Sequence, residues 1–281
     1  MAEIVFYLPK HTPKTDTFGC ATLSFAGMPD CSRDAALRFD FAPKGAVLNG
    51  TYEEILTNIP AGNYQAAIVL CGNAGGENAF VRKLYEKLHC PIVGGGAAMD
   101  GSVGGLITGG GQASVLLIEN AVQVEHANIH QNILGTVKVD FDPASPRIVK
   151  TIDGIDAKTW LDQQKQALSI GENDFEHMTL SDLQGINAHL SFDGQYVRSG
   201  RDLTPYMIAR YVKPEEVYPA VLDFYNDDKN TIVFGCAGLK SITGELPPVD
   251  SLGLYLYGEI CTTDNSADFG NLMLSKIKFI R

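Results

Sequence analysis

The sequence predicts an α/β fold of two related α/β halves with mixed, partly antiparallel sheets. Three observations carry this expectation. Apolar runs of strand length alternate with helix-periodic segments, a short polar connection at Glu119-Asn120 suits antiparallel pairing, and a strand-and-turn pattern near residue 68 returns near residue 232.

The first half opens with a strand at Ile4 to Leu8. The stretch from Phe18 to Gly50 is punctuated by Gly19, Gly27, Pro29, Pro43 and Gly45, and reads either as strands or as an ordered lid. Thr51 and Glu54 then form a T-x-x-E capping box ahead of Ile55, Leu56 and Ile59, which predicts a helix start. An apolar strand, Ala66 to Leu70, stops at the turn Cys71-Gly72-Asn73-Ala74-Gly75-Gly76. It leads into a helix over Ala79 to His89 with Val81, Leu84, Tyr85 and Leu88 on one face. Cys90-Pro91-Ile92-Val93 is the next strand and delivers the chain into Gly94, Gly95 and Gly96.

Strands follow at Ala113 to Ile118, at Val122 and Val124, and at Val137, Val139 and Phe141, where apolar and polar residues alternate. The short Glu119-Asn120 connection suits antiparallel pairing of the strands it joins. A helix from Ala157 to Leu168 bridges the halves, which places the domains at 1–160 and 161–281. In the second half a strand at Thr231 to Phe234 meets a Gly-Cys-Ala-Gly turn, a strand at Gly253 to Tyr257 runs into Gly258, and Ile277 and Phe279 alternate with Lys276 and Lys278. Aligning Ile68-Val69-Leu70-Cys71-Gly72 with Ile232-Val233-Phe234-Gly235-Cys236 gives the internal duplication.

Composition narrows the function classes. With 45% apolar and 20% charged residues the chain is a folded globular protein. Its net charge of 22 − 33 = −11 opposes phosphate backbones and anionic membrane surfaces, so neither nucleic acid nor membrane is an expected partner. No apolar run reaches the roughly 18 residues of a spanning helix, and Glu3 ahead of a short apolar patch does not fit a secretory signal, so a cytoplasmic location is expected. Six cysteines without C-x-x-C spacing argue for buried thiols rather than a zinc or disulfide framework.

The chemistry-bearing motifs are few. Gly94-Gly95-Gly96 followed by Asp100 either exposes backbone amides to a ligand carboxylate or phosphate, or marks a tight turn at a crowded sheet edge. No G-x-G-x-x-G occurs, which disfavours dinucleotide binding, and Gly235 to Ser241 misses the spacing of a phosphate loop. His126 and His130 lie four residues apart on a predicted strand, about 13 Å, too far for one ion. Cys71 and Cys236 stand at strand ends where a nucleophile is plausible, with no histidine near in sequence. Tyr255-Leu256-Tyr257-Gly258-Glu259 sets a carboxylate beside exposed backbone, suited to an amine, or else packs on the sheet. Arg198 and Arg201 either pair with a ligand carboxylate or bind acidic protein surface.

Several of these residues resemble the FIST sensory domain family. Gly253-Leu254-Tyr255-Leu256-Tyr257-Gly258-Glu259-Ile260 is similar to the G-F-Y-T-Y-G-E-I signature of its C-terminal part. Pro91 to Ala98 resembles its N-terminal glycine segment, Ile152 to Ala157 its L-D-G-x-P-A stretch, and Ile232 to Gly238 its strand-Phe-Ser-Cys-x-Gly element. The chain departs from the family at Leu239, where arginine is usual, and at Gly270-Asn271-Leu272-Met273, where only the asparagine of His-Asn-x-Thr remains.

The resemblance implies an intracellular small-molecule sensor for an amino acid or similar polar metabolite, bound between the halves. Its expected contacts are Gly94, Gly95, Gly96 and Asp100 for the carboxylate, Tyr257 and Glu259 for the ammonium, and Cys236 nearby. No output module follows, so signalling is expected to pass to a separate partner such as a kinase or cyclase. No catalytic residue, metal or obligatory cofactor is assigned. The alternatives are a haem-dependent nitric-oxide sensor of the same family, using His126, His130, His177 or His189, and a thiol-dependent enzyme using Cys236 or Cys71.

Overall fold

A computed structural model describes residues 3–7, 17–21, 24–25, 36–39, 43–72, 75–97, 99–100, 103–104, 112–171 and 175–280. In chain order the first strands are β1 (Glu3–Tyr7), β2 (Thr17–Ala21), β3 (Ser24–Phe25), β4 (Ala36–Phe39), β5 (Gly45–Gly50), β6 (Ala66–Cys71), β7 (Ile92–Gly96), β8 (Met99–Asp100), β9 (Val103–Gly104), β10 (Ala113–Ile118) and β11 (Val122–Asn128). A middle set follows: β12 (Asn132–Asp142), β13 (Ser145–Ile152), β14 (Ile155–Asp156), β15 (Met178–Ser181), β16 (Asn187–Phe192), β17 (Val197–Ser199) and β18 (Tyr206–Tyr211). The chain ends with β19 (Thr231–Cys236), β20 (Leu252–Thr262), β21 (Ala267–Gly270) and β22 (Met273–Phe279). The helices are α1 (Tyr52–Thr57), α2 (Glu77–Leu88), α3 (Ala157–Leu168), α4 (Pro214–Tyr225) and α5 (Ala237–Thr243).

The α/β class expected from the sequence is the one observed, with parallel and antiparallel strands in one sheet. The main path of the ten-stranded sheet is β11-β22-β19-β20-β7-β6-β10-β5. On one side of its centre β6 and β7 run parallel, joined by α2, with β10 and then β5 antiparallel outside them. On the other side β19 and β20 run parallel, joined by α5, with β22 and then β11 antiparallel outside. The same succession, edge strand, helix, strand, helix, strand, outer strand, therefore occurs twice. The two units meet where β7 pairs antiparallel with β20.

Side-chain direction follows the duplication in the register read from the sequence. Ile68 and Leu70 on β6, and Ile232 and Phe234 on β19, enter one core together with Ile4 and Phe18. Val69 faces the opposite side, against Phe80, Val81 and Leu84 of α2, and Val233 faces Val217, Val221 and Tyr225 of α4. Both central strands are buried on both faces, which is why they read as continuous apolar runs rather than alternating ones.

Between β11 and α4 the chain forms a second, seven-stranded sheet, β12-β18-β15-β16-β17-β13-β14, that closes because β12 pairs with both β18 and β13. Its interior is filled by residues such as Val139, Leu180, Leu190 and Met207, and α3 plugs it with Ala157, Trp160 and Leu161. Residue 160, the sequence boundary between 1–160 and 161–281, thus lies within α3 in the core of this closed sheet. Asp156 caps α3 by accepting from Thr159 N at 3.0 Å, and the Thr51–Glu54 capping box forms at α1 as its spacing predicts. Two expectations are corrected: the Gly-Cys-Ala-Gly stretch after β19 does not stay a turn, because α5 starts at Ala237, and the strands joined by Glu119-Asn120 do not pair with each other, because β10 lies between β6 and β5 while β11 pairs with β22.

Candidate functional site

A cleft of about 310 Å³ opens where α2, the β20–β21 strands and the closed sheet converge. Helix α2 supplies its N-terminus: Gly75 and Gly76 precede it at φ 85° and 84°, a left-handed conformation that glycine takes without strain. Gly76 is the N-cap and gives no side-chain cap, so the positive end of a 12-residue helix dipole faces the cleft with Glu77 and Asn78. The closed sheet supplies Arg147, Gly200 and Arg201, and the large sheet supplies Tyr257, Gly258, Phe269 and Asn271. Tyr257 is 47% exposed there.

A buried charge network fixes the walls. Asp268 Oδ2 accepts from Arg82 Nε and Nη2 at 2.9 and 2.5 Å, and from Arg201 Nη2 at 3.3 Å. Arg201 Nη1 also reaches Asp182 at 3.1 Å and the Ile186 carbonyl at 3.2 Å. Arg201 is 5% exposed, and its Nε has no hydrogen-bond partner. Asn78 Oδ1 accepts from Phe269 N at 3.1 Å, which ties the start of α2 to β21. Arg147 pairs with Asp202 at 3.0 Å, and both side chains are more than half exposed.

The structure brings the two expected glycine and Tyr-Gly-Glu segments together, in register across the β7–β20 seam: Gly96 lies opposite Tyr257, Gly95 opposite Glu259 and Gly94 opposite Ile260. It gives them different work from the one expected. Gly94, Gly95 and Gly96 are buried between β6 and β20. A Cβ at Gly94 would overlap the Val69 carbonyl oxygen, and one at Gly95 the Gly258 carbonyl oxygen. The glycines therefore permit close strand approach rather than cradle a ligand, the crowded-sheet alternative. Asp100 is in β8, and its side chain lies outside the described residues.

Glu259 is likewise corrected as an ammonium contact. It is fully buried and accepts from Met273 N at 2.6 Å. Burial raises its carboxyl to about 8, against the opposing effect of the Met273 amide and the Cys236 thiol. The thiol of Cys236 is in turn pushed up by burial and by Glu259. Of the expected contacts Tyr257 lines the cleft, while Glu259 and Cys236 lie in the protein interior.

Four cysteines are buried, and two of the four histidines named from the sequence are engaged in hydrogen bonds within the fold. Cys71, Cys90, Cys236 and Cys261 are buried, and burial raises the thiols of Cys90, Cys236 and Cys261, opposite to an activated nucleophile. His130 Nε2 donates to the Glu176 carbonyl at 2.7 Å, and His126 Nε2 accepts from Thr262 N at 3.1 Å, so neither offers that nitrogen to a haem iron. Among the described residues no group of three or more His, Cys, Asp or Glu could hold a metal ion, and no helix is long and apolar enough to cross a membrane.

Sequence reasoning missed Gly75, Gly76 and Glu77 as a site, although the glycine pair before a helix start is the pattern that signals an uncapped N-terminus. Arg201 was singled out and lines the cleft, whereas Arg198 binds Asp193; Asn271, noted only as what remains of His-Asn-x-Thr, lines it too. No protein-family model and no curated protein matches this chain.

Proposed function

We propose that this protein is a small-molecule sensor of the FIST kind, binding an amino acid or a similar small carboxylate-bearing metabolite in the cleft at the start of α2. The observation that carries the reading is the convergence of an uncapped helix N-terminus with Arg147 and the buried Arg201 on a cavity of about 310 Å³. A helix N-terminus and guanidinium groups both favour an oxyanion. Tyr257 and Phe269 give the same cavity apolar walls, which suits a metabolite with a side chain rather than a bare inorganic ion. Two motifs of the resemblance, the Tyr-Gly of Tyr257-Gly258-Glu259 and the retained Asn271, lie at this cleft.

Thermal denaturation against a panel of amino acids and related carboxylates tests the reading. A ligand present at a hundred times its dissociation constant adds about 2.7 kcal/mol, a shift of several degrees. The shift should disappear in Arg147→Ala and Tyr257→Ala and persist in Glu259→Gln, because Glu259 is fully buried and does not line the cleft. A panel in which nothing moves the transition, or a shift unaffected by both cleft variants, would overturn it.

A further inference from the structure

The cleft contains one carboxylate that the surrounding ion pairs leave out. Asp182 and Asp268 are matched to Arg201, and Asp202 to Arg147. Glu77, half-buried at the first position of α2, forms no ion pair among the described residues. It is held in place all the same, because its Oε1 accepts from Gly75 N at 2.6 Å. A fixed carboxylate in no ion pair, with the Gly75 amide and Tyr52 beside it, therefore shares the cavity with the α2 N-terminus, Arg147 and the 5% exposed Arg201. One cavity thus offers both signs of charge, already positioned.

From this juxtaposition we infer that Glu77 is the specificity-determining residue of the cleft: it accepts a ligand ammonium and so selects molecules bearing a primary amine next to a carboxylate over the matched hydroxy acids. The inference rests on the proposed ligand-binding reading and deepens it. An amine partner would satisfy Glu77, whereas a hydroxyl in its place would leave the carboxylate half-buried without a counter-charge, and such an unmatched group is what lets a site reject a near-isostere. The bland role for Glu77, an acidic residue favourably placed in the first turn of a helix, predicts an effect on stability alone.

The test is calorimetric titration of the full chain with the twenty standard amino acids, and for the tightest of them with its 2-hydroxy acid and its decarboxylated amine, in wild type and in Glu77→Gln. Glutamine keeps an oxygen for the Gly75 amide, so the loop before α2 is retained, and a melting curve of the variant verifies this. Wild type should prefer the amino acid over the hydroxy acid by at least about tenfold, and Glu77→Gln should bring the ratio close to one, weakening the amino acid and relieving the penalty on the hydroxy acid. A ratio that survives in Glu77→Gln, or a wild type that binds both acids equally, overturns the role of Glu77 while the cleft reading stands, since a ligand still binds. If no amino acid and no hydroxy acid binds wild type, the cleft reading falls, and the inference with it.

Discussion

Gly95 lies opposite Glu259 at the seam between the two units of the large sheet, and a Cβ at Gly95 would overlap the carbonyl oxygen of Gly258. A β-bulge at this point sets Gly258 at φ 73° and turns the Glu259 carboxyl into the interior, where the Met273 amide receives it. The two segments that looked like ligand contacts are thus the join of the fold, and the side open to solvent is the one beside Tyr257.

Gly95→Ala should destabilise the protein by more than about 3 kcal/mol, because the obstacle is backbone that belongs to the central strand pair and has no room to move. Urea denaturation measures it. A variant within 1 kcal/mol of wild type would mean that the seam is looser than the register implies.

Glu259 gives a pH signature of definite sign. Its folded pKa of about 8 stands above the usual 4.5, so the stability it contributes is fully present below pH 4.5 and is lost as pH rises through 8. Glu259→Gln has no charge to bury. It should therefore be more stable than wild type at pH 9, with the difference shrinking towards pH 5, as followed by chemical denaturation at the two values.

His130 acts in the opposite direction. Burial lowers its pKa from 6.5 to about 4, and the neutral ring donates from Nε2 to the Glu176 carbonyl while Asn187 Nδ2 lies 3.3 Å from Nδ1. The contribution is complete above pH 6.5 and is lost as pH falls towards 4, up to about 3 kcal/mol for a shift of this size. His130→Gln should lose less stability than wild type between pH 7 and pH 5. Equal losses would assign the acid sensitivity elsewhere.

Arg201→Ala should cost about 3 kcal/mol, since it removes the counter-charge of Asp182 and leaves the 4% exposed Asp268 to Arg82 alone. Arg201→Lys should recover only part of this, because an ammonium cannot span both carboxylates as the guanidinium does. The midpoints of urea denaturation decide the order of the three proteins.

Cys71, Cys90, Cys236 and Cys261 should resist iodoacetamide in the native protein and react on unfolding, because all four are buried. Mass mapping after a brief alkylation checks each one. Rapid native labelling of Cys236 would revive the thiol-enzyme alternative.

Local periodicity determined the elements whose faces differ in polarity or whose ends carry their own caps. The sequence was enough for α1 with its Thr51–Glu54 box, for α3 at Ala157–Leu168, and for the apolar strands β6, β10 and β19, including the matched directions of Ile68 and Ile232 that reveal the duplication. It could not say that the chain between β11 and α4 closes into a separate sheet around α3, because closure depends on β12 pairing with two strands far away in sequence. The site was legible only in pieces. Tyr257 and Arg201 were marked by residue type, but whether a glycine amide is open to a ligand or enclosed in a ladder depends on what packs beside it. Gly94 to Gly96 and the pair Gly75-Gly76 are alike as sequence; β20 lies against the first and the cleft against the second. Tertiary packing alone made that distinction, and with it decided that Glu77 faces the cavity while Glu259 faces the core.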